Sequence, residues 1–279
     1  MEDKIAVVTG ANSGIGKITS KALLDEGFRV VMICRNPEKA EAAKKEITED
    51  TGNDRADILI CVLSDQGQIK ETAAKIKQKY KRLDRLVNNA GFLPDGKRKE
   101  NQEGIELTFA VNHLAYFLLT KELIPLLEKT EQSRVINVAS EAHRYGEFSP
   151  NNIQLENGYT ASKAYGNSKL FNMMFTHQLN KELEGKDITT YSLHPGVVNT
   201  NFASESNSLF AKFFNLARLI MISPEKGAQT SIYLCTEPGI EKKSGKYFSK
   251  SRPAKPSKSA ATDDQKCKKL WEISEDLVG

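Results

Sequence analysis

No stretch of this sequence reaches the roughly 18 consecutive apolar residues that a membrane-crossing helix requires, so no spanning helix is expected in it. Cysteine is sparse: Cys34, Cys61, Cys235 and Cys267 stand far apart with no Cys-x-x-Cys pair. That pattern suggests neither a zinc site nor a disulfide framework, and no metal is expected. Charge of one sign is scarcely in excess, with 40 basic and 36 acidic residues among 279. A net +4 does not imply a nucleic-acid partner. No internal repeat or break in composition divides the chain. The first strand-like run lies within the opening MEDKIAVVTG, so no signal peptide or membrane anchor is expected. A soluble, cytoplasmic protein is therefore expected. One local imbalance stands out: Lys242, Lys243, Lys246, Lys250, Arg252, Lys255 and Lys258 lie together with no acid between them, and read as a solvated Pro/Ser loop.

What is present is ordinary for a soluble enzyme, 39% hydrophobic and 27% charged, enough for a full core. Short β-branched runs alternate with longer segments of helical period: IAVVTG (5–10) then 14–26, FRVVMIC (28–34) then 37–50, ADILICVL (56–63) then 66–80. The rhythm continues with RLDRLVNN (82–89), a helix near 103–129, SRVINVAS (133–140), a helix near 161–184, DITTYSLH (187–194), a helix from SPEK (223–226) and a last strand near GKYF (245–248). The strands are nearly all apolar, as when helices cover both faces of a parallel sheet. One doubly wound α/β domain over 1–279 is expected. It would carry a lid near 199–222 and a basic loop with a C-terminal helix near 242–279.

The first strand runs into Thr9-Gly10-Ala11-Asn12-Ser13-Gly14-Ile15-Gly16, where a helix begins. Small residues there let backbone N–H groups approach a pyrophosphate at the positive end of the helix. The second strand ends in Cys34-Arg35-Asn36, where a dinucleotide fold that prefers NAD would place an acid for the ribose 2′-hydroxyl. Without that acid, Arg35 can pair with a 2′-phosphate, so NADP(H) is expected. The stretch YTASKAYGNSK (159–169) contains Tyr-x-x-x-Lys twice, as Tyr159/Lys163 and Tyr165/Lys169. On a helix this spacing sets a Lys beside a phenol, and its charge lowers a pKa that starts near ~10. Spacing alone leaves both pairs open, as well as an ordinary surface pair.

Together with NNAG (88–91), NVAS (137–140) and HPG (194–196), these features resemble the short-chain dehydrogenase/reductase family. The segments FAVNHLAYFLLT (109–120), AYGNSKLFN (164–172) and SPEKGAQTSIYL (223–234) are similar to its retinol-dehydrogenase-like branch. The resemblance implies a Rossmann-type sheet of about seven strands, a nicotinamide cofactor and an Asn-Ser-Tyr-Lys site. Carried over, that set is Asn112, to hold a water beside the lysine; Ser140, to hold the substrate oxygen; Tyr165, the proton donor; and Lys169, which would also hold the ribose. Tyr165 matches the branch, preceded by Ala and followed by Ser-Lys-Leu, and Tyr159 follows the turn signal Asn157-Gly158. Tyr159 is then a loop or pocket-wall residue.

The resemblance further implies cofactor contacts at Gly10, Asn12, Ser13, Gly14, Ile15, Gly16, Arg35, Asn36, Asn89, Ala90, Gly91, Tyr165, Lys169, Pro195, Gly196, Val198 and Thr200. Val62 departs from the branch, which has an Asp there for the adenine, and Asn199 departs where a basic or hydroxyl residue is common. A homodimer through the helices near 103–129 and 161–184 is a family-based expectation. The resulting reading is a hydride-transferring carbonyl reductase or alcohol dehydrogenase with an apolar substrate, such as a retinoid or lipid aldehyde. Its rival is a cofactor-binding sensor or scaffold with little turnover.

Overall fold

A computed structural model describes residues 3–198 and 222–279. Strands β1 (Ile5–Thr9), β2 (Arg29–Cys34), β3 (Ala56–Ile60), β4 (Arg85–Asn88), β5 (Ser133–Val138), β6 (Ile188–His194), β7 (Tyr247–Ser249) and β8 (Arg252–Ala254) form one sheet. Its order is β3-β2-β1-β4-β5-β6-β7-β8, parallel throughout except for β8, which returns antiparallel beside β7. Helices α1 (Gly14–Asp25), α2 (Pro37–Thr51) and α7 (Pro224–Thr236) pack on one face. Helices α3 (Gln66–Lys79), α5 (Ala115–Leu127), α6 (Ala161–Glu182) and α8 (Asp264–Val278) pack on the other, joined by the short α4 (Leu107–Phe109).

Side chains of a strand alternate between faces, so each strand feeds two apolar cores. Val7, Val31, Leu86 and Val135 enter the core under α5 and α6, whereas Val8, Val30, Met32, Val87 and Ile136 enter the one under α1 and α7. This is the expected single doubly wound α/β domain. The strand order reverses between β1 and β4, and ligands of such sheets bind in the crevice outside the carboxyl ends of the strands at that point.

Three elements differ from expectation. The sheet has an eighth strand inside the segment read as a basic loop, because Lys250 and Ser251 take φ of 51° and 57° and close a two-residue hairpin turn. The helix expected near 103–129 starts only at Leu107, where the buried Glu106 carboxylate accepts the N–H groups of Thr108 and Phe109 at 2.9 and 2.7 Å. A π-helical turn at Ala110–Leu114 then carries it into α5, a widening that frequently marks functional positions. The C-terminal helix α8 lies on the two helices through which the homodimer was expected. Trp271 packs 4.8 Å from Phe117 of α5 and 5.9 Å from Phe175 of α6, while His113 Nε2 meets Ser274 Oγ at 3.0 Å. The lid expected near 199–222, with Asn199 and Thr200, falls outside the described residues apart from Ile222. Among the described residues, no helix is long and apolar enough to cross a membrane.

Candidate active site

The glycine-rich turn leaves β1 with Gly10 at φ 66° and Gly14 at φ 52°, positions where a side chain would be strained. Space forbids side chains as well: a Cβ on Gly10 would sit 3.0 Å from Ala90 Cα, and one on Gly16 would sit 2.3 Å from Gly10 O and 2.5 Å from Asn89 Nδ2. The main-chain N–H groups of Ala11 and Asn12 bond the Cys34 sulfur, which fixes the turn against the end of β2. Ser13 is the extended N-cap of α1, yet its side chain caps nothing, and the first turn holds no acid. The helix therefore keeps N–H groups and positive dipole end for an anion, with Ile15 half-buried behind them.

Asn89 and Ala90 join the cradle through Thr9, the first residue of the glycine-rich stretch, to which the sequence reading gave no role of its own. Thr9 Oγ1 accepts from Asn89 N and Ala90 N, both at 2.9 Å, and Asn89 Nδ2 donates to Thr9 O at 2.8 Å. From the far side, Gly196 at φ 95° brings the chain after Pro195 against Ile222, and Val198 pairs with Ile222 in a parallel bridge. A Cβ on Gly227 would meet Val198 Cγ2 at 2.5 Å and Ile15 Cγ1 at 3.4 Å, so the HPG segment and the glycine-rich turn face each other across α7.

At the end of β2, Arg35 is exposed, while Asn36 is committed to capping α2, its Oδ1 accepting from Lys39 N at 2.7 Å. Beyond β3 the Val62 N–H donates to Gln68 Oε1 at 2.9 Å. The missing carboxylate is thus accompanied by an engaged main-chain donor.

Ser140 follows β5 as N-cap of a 3₁₀ turn, Glu141–Tyr145, its hydroxyl accepting from Ala142 N at 3.2 Å. A turn-entry role and a place at the crevice coincide in this residue. Tyr165 and Lys169 sit one turn apart on α6, 6% and 2% exposed. Burial pushes Tyr165 up to about 12, and a hydrogen bond from the Ser140 side chain acts against that rise. Burial pushes Lys169 down to about 7. Its Nζ donates to Val138 O at 3.1 Å and lies 5.7 Å from the Tyr165 ring centroid and 5.8 Å from that of Tyr116. Burial outweighs the lowering expected from the lysine charge, and among the described residues the Ser140 hydroxyl favours the phenolate. Perturbed groups gathered in a crevice are characteristic of active sites.

Asn112 lies in the π turn with its amide making three hydrogen bonds: Oδ1 accepts from Phe92 N at 2.7 Å, and Nδ2 donates to Phe92 O at 2.9 Å and to Ser168 Oγ at 3.1 Å. The side chain is a strut between the turn after Gly91 and α6. Tyr116, another residue the motifs missed, donates to Ala90 O at 2.7 Å and so ties the cradle to the lysine.

Tyr159 stands before the N-cap Thr160, outside the helix, and Lys163 is exposed. The first Tyr-x-x-x-Lys therefore lacks the one-turn helical geometry. Burial and the Glu106 carboxylate push Tyr159 up to about 12, with Thr108 opposing. It fastens the insert before α6 to the start of α4.

Residues 4–209 match the family model for short chain dehydrogenase. Retinol dehydrogenase 11 of Homo sapiens is 40% identical over 276 residues, spanning 99% of this chain and 86% of the relative. Retinol dehydrogenase 14 of Mus musculus is 38% identical over 294 residues, spanning 100% and 87%. Among solved structures, that of an uncharacterized protein from Mycobacterium paratuberculosis is similar with a TM-score of 0.78 at 27% identity, covering 99% of this chain and 93% of the other.

Proposed function

Because the chain belongs to the short-chain dehydrogenase family, whose members are nicotinamide-dependent oxidoreductases, we propose that it is an NADP(H)-dependent carbonyl reductase or alcohol dehydrogenase for an apolar substrate. The observation that carries this is the meeting of Ser140, Tyr165 and Lys169 at the carboxyl end of β5. The dinucleotide fits the close-packed Gly10 and Gly16 and the side-chain-free start of α1. When bound, it supplies or takes the hydride at the nicotinamide C4.

The chain's own residues do the rest. Gly10, Asn12, Ser13, Gly14, Ile15 and Gly16 would hold the pyrophosphate; Asn89, Ala90 and Gly91 would wall the adenosine half; Pro195, Gly196 and Val198 would bear on the nicotinamide half. Exposed Arg35, with no acid at Cys34, holds a 2′-phosphate. Asn36 contributes through its backbone, since its side chain caps α2. Ser140 and Tyr165 grip the substrate oxygen, and Tyr165 passes the proton. Lys169 would hold the ribose and, in its charged form, would stabilise the Tyr165 phenolate. Asn112 positions α6 through Ser168. The names of the retinol dehydrogenase relatives make retinoids the leading members of a class of hydrophobic aldehydes and alcohols.

Steady-state NADPH oxidation over a panel of aldehydes, starting with retinal and medium-chain alkanals, tests the reading. Turnover that disappears in Ser140→Ala and Tyr165→Phe is expected. NADPH binding without turnover on any aldehyde or ketone would replace the reading with that of a cofactor-binding sensor or scaffold.

A further inference from the structure

The turn that carries Ser140 is fastened at several points, and two of them have no part in the chemistry above. Gly146 closes the turn at φ −78° and ψ 150°, a conformation open to any residue. Glycine is needed there for space. A Cβ on Gly146 would lie 2.5 Å from the Gly166 carbonyl oxygen, 2.9 Å from its carbon and 2.9 Å from Leu170 Cβ. In return, a Cβ on Gly166 would lie 2.9 Å from Ala142 O and 3.0 Å from Gly146 N. The backbone of the turn rests directly on the backbone of α6, at the residue next to Tyr165. Just beyond, Glu147 N donates to Asn167 Oδ1 at 2.8 Å and extends the seam.

On its other side the turn is held by His143. Its Nε2 takes the N–H of Ser257 at 3.0 Å, and a main-chain N–H only donates, so Nε2 is the acceptor. Nδ1 therefore carries the hydrogen and donates to Ser140 O at 2.7 Å. A single neutral tautomer links the serine to the segment after β8, and burial, which lowers the His143 pKa, supports that form. Glu141, Arg144 and Lys258 are the charged groups around the ring. Tyr247 meets it edge-on at 5.6 Å and donates to Glu141 Oε1 at 2.9 Å, while Glu141 N donates to His194 Nδ1 at 3.2 Å.

We infer that Gly146 and His143 are positioning residues for the reaction: the glycine seats the Ser140 turn on α6, the histidine ties the Ser140 carbonyl to the segment after β8, and together they hold the serine hydroxyl against Tyr165. This rests on the reading in which Ser140 and Tyr165 grip the substrate oxygen. Displacement by even an ångström at such a pair costs on the order of 10²-fold in rate, and the turn has no slack to absorb a methyl group at Gly146.

The test compares Gly146→Ala, His143→Leu and His143→Gln with Ser140→Ala and Tyr165→Phe, using NADPH and retinal. Gly146→Ala and His143→Leu should lower kcat by about 10-fold or more while leaving the NADPH KM within about twofold, because neither residue adjoins the cofactor cradle. The basic limb of the kcat profile should move upward in both. Ser140, Lys169 and Tyr116 lie around Tyr165, and of these three the substitutions act on the Ser140 hydroxyl. His143→Gln, whose amide offers one donor and one acceptor, should recover part of the loss. Combining Gly146→Ala with Ser140→Ala should add little to Ser140→Ala alone.

Wild-type kcat and pH profile in Gly146→Ala and His143→Leu, alongside loss of turnover in Ser140→Ala and Tyr165→Phe, would overturn the inference and spare the proposed function. Full additivity in the double variant would also overturn it. Retained turnover in both Ser140→Ala and Tyr165→Phe would overturn the proposed function, and the positioning role would fall with it. If Gly146→Ala does not fold, the contrast between His143→Leu and His143→Gln decides by the same criteria.

Discussion

Lys169 Nζ lies 5.7 Å from the centroid of the Tyr165 ring and donates to the Val138 carbonyl, placing an ammonium group with a pKa near 7 beside a phenol with one near 12. Both groups are pressed toward their neutral forms by burial. The pair is poised to respond to the polar oxygens of a bound ligand, and its two members make different predictions.

Tyr165→Phe should keep NADPH binding and lower kcat by a factor on the order of 10²–10⁴, the range of general acid catalysis. Tyr159→Phe should retain turnover and instead lower stability by about 1 kcal/mol, the usual net worth of a lost hydrogen bond. Kinetics and denaturant melts of both variants separate the two roles. Loss of turnover in Tyr159→Phe alone would move the proton donor to the first Tyr-x-x-x-Lys.

Lys169 should make the chain less stable at neutral pH than it would be without the buried amine. Its pKa is 10.5 when unfolded and about 7 when folded. Between those values the unfolded chain binds a proton that the folded chain does not, so this group makes stability rise as pH increases from about 7 to 10.5. Lys169→Met should abolish turnover, raise stability at pH 7 by about 1–2 kcal/mol, and flatten that rise. Urea midpoints measured from pH 6 to about 10 check both signs, and an unchanged slope would contradict the buried-amine account.

Arg35→Ala should raise the NADPH KM with little change in kcat, because the lost contact is shared by ground and transition states. The parent chain should favour NADPH over NADH in kcat/KM. Equal values for the two cofactors would remove Arg35 from the site.

With α8 seated on α5 and α6, light scattering at several concentrations should find a monomer, since Trp271 occupies the face a second copy would need. Trp271 is partly buried against the core, so Trp271→Ala should destabilise by about 2 kcal/mol, below the range for a fully buried tryptophan. A dimer that forms only in this variant would locate the pairing face beneath α8. A dimer of the parent chain would place pairing elsewhere.

The sequence alone determined the alternation of strand and helix and the glycine-rich turn, which depend on the local signals of residue period and helix-start chemistry. The preference for Tyr165 over Tyr159 came from the family resemblance together with the turn signal at Asn157-Gly158. Tertiary structure decided what depends on residues distant along the chain. β8 exists because β7 offers it an edge, and the π turn sits where the Asn112 amide reaches Phe92. Gly146 looks like any turn glycine in sequence and acquires its meaning only from the Gly166 carbonyl 20 residues later. The pKa values of Tyr165 and Lys169 likewise could not follow from four-residue spacing. Spacing specifies which groups are neighbours, whereas the depth at which the fold buries them sets the cost of their charge.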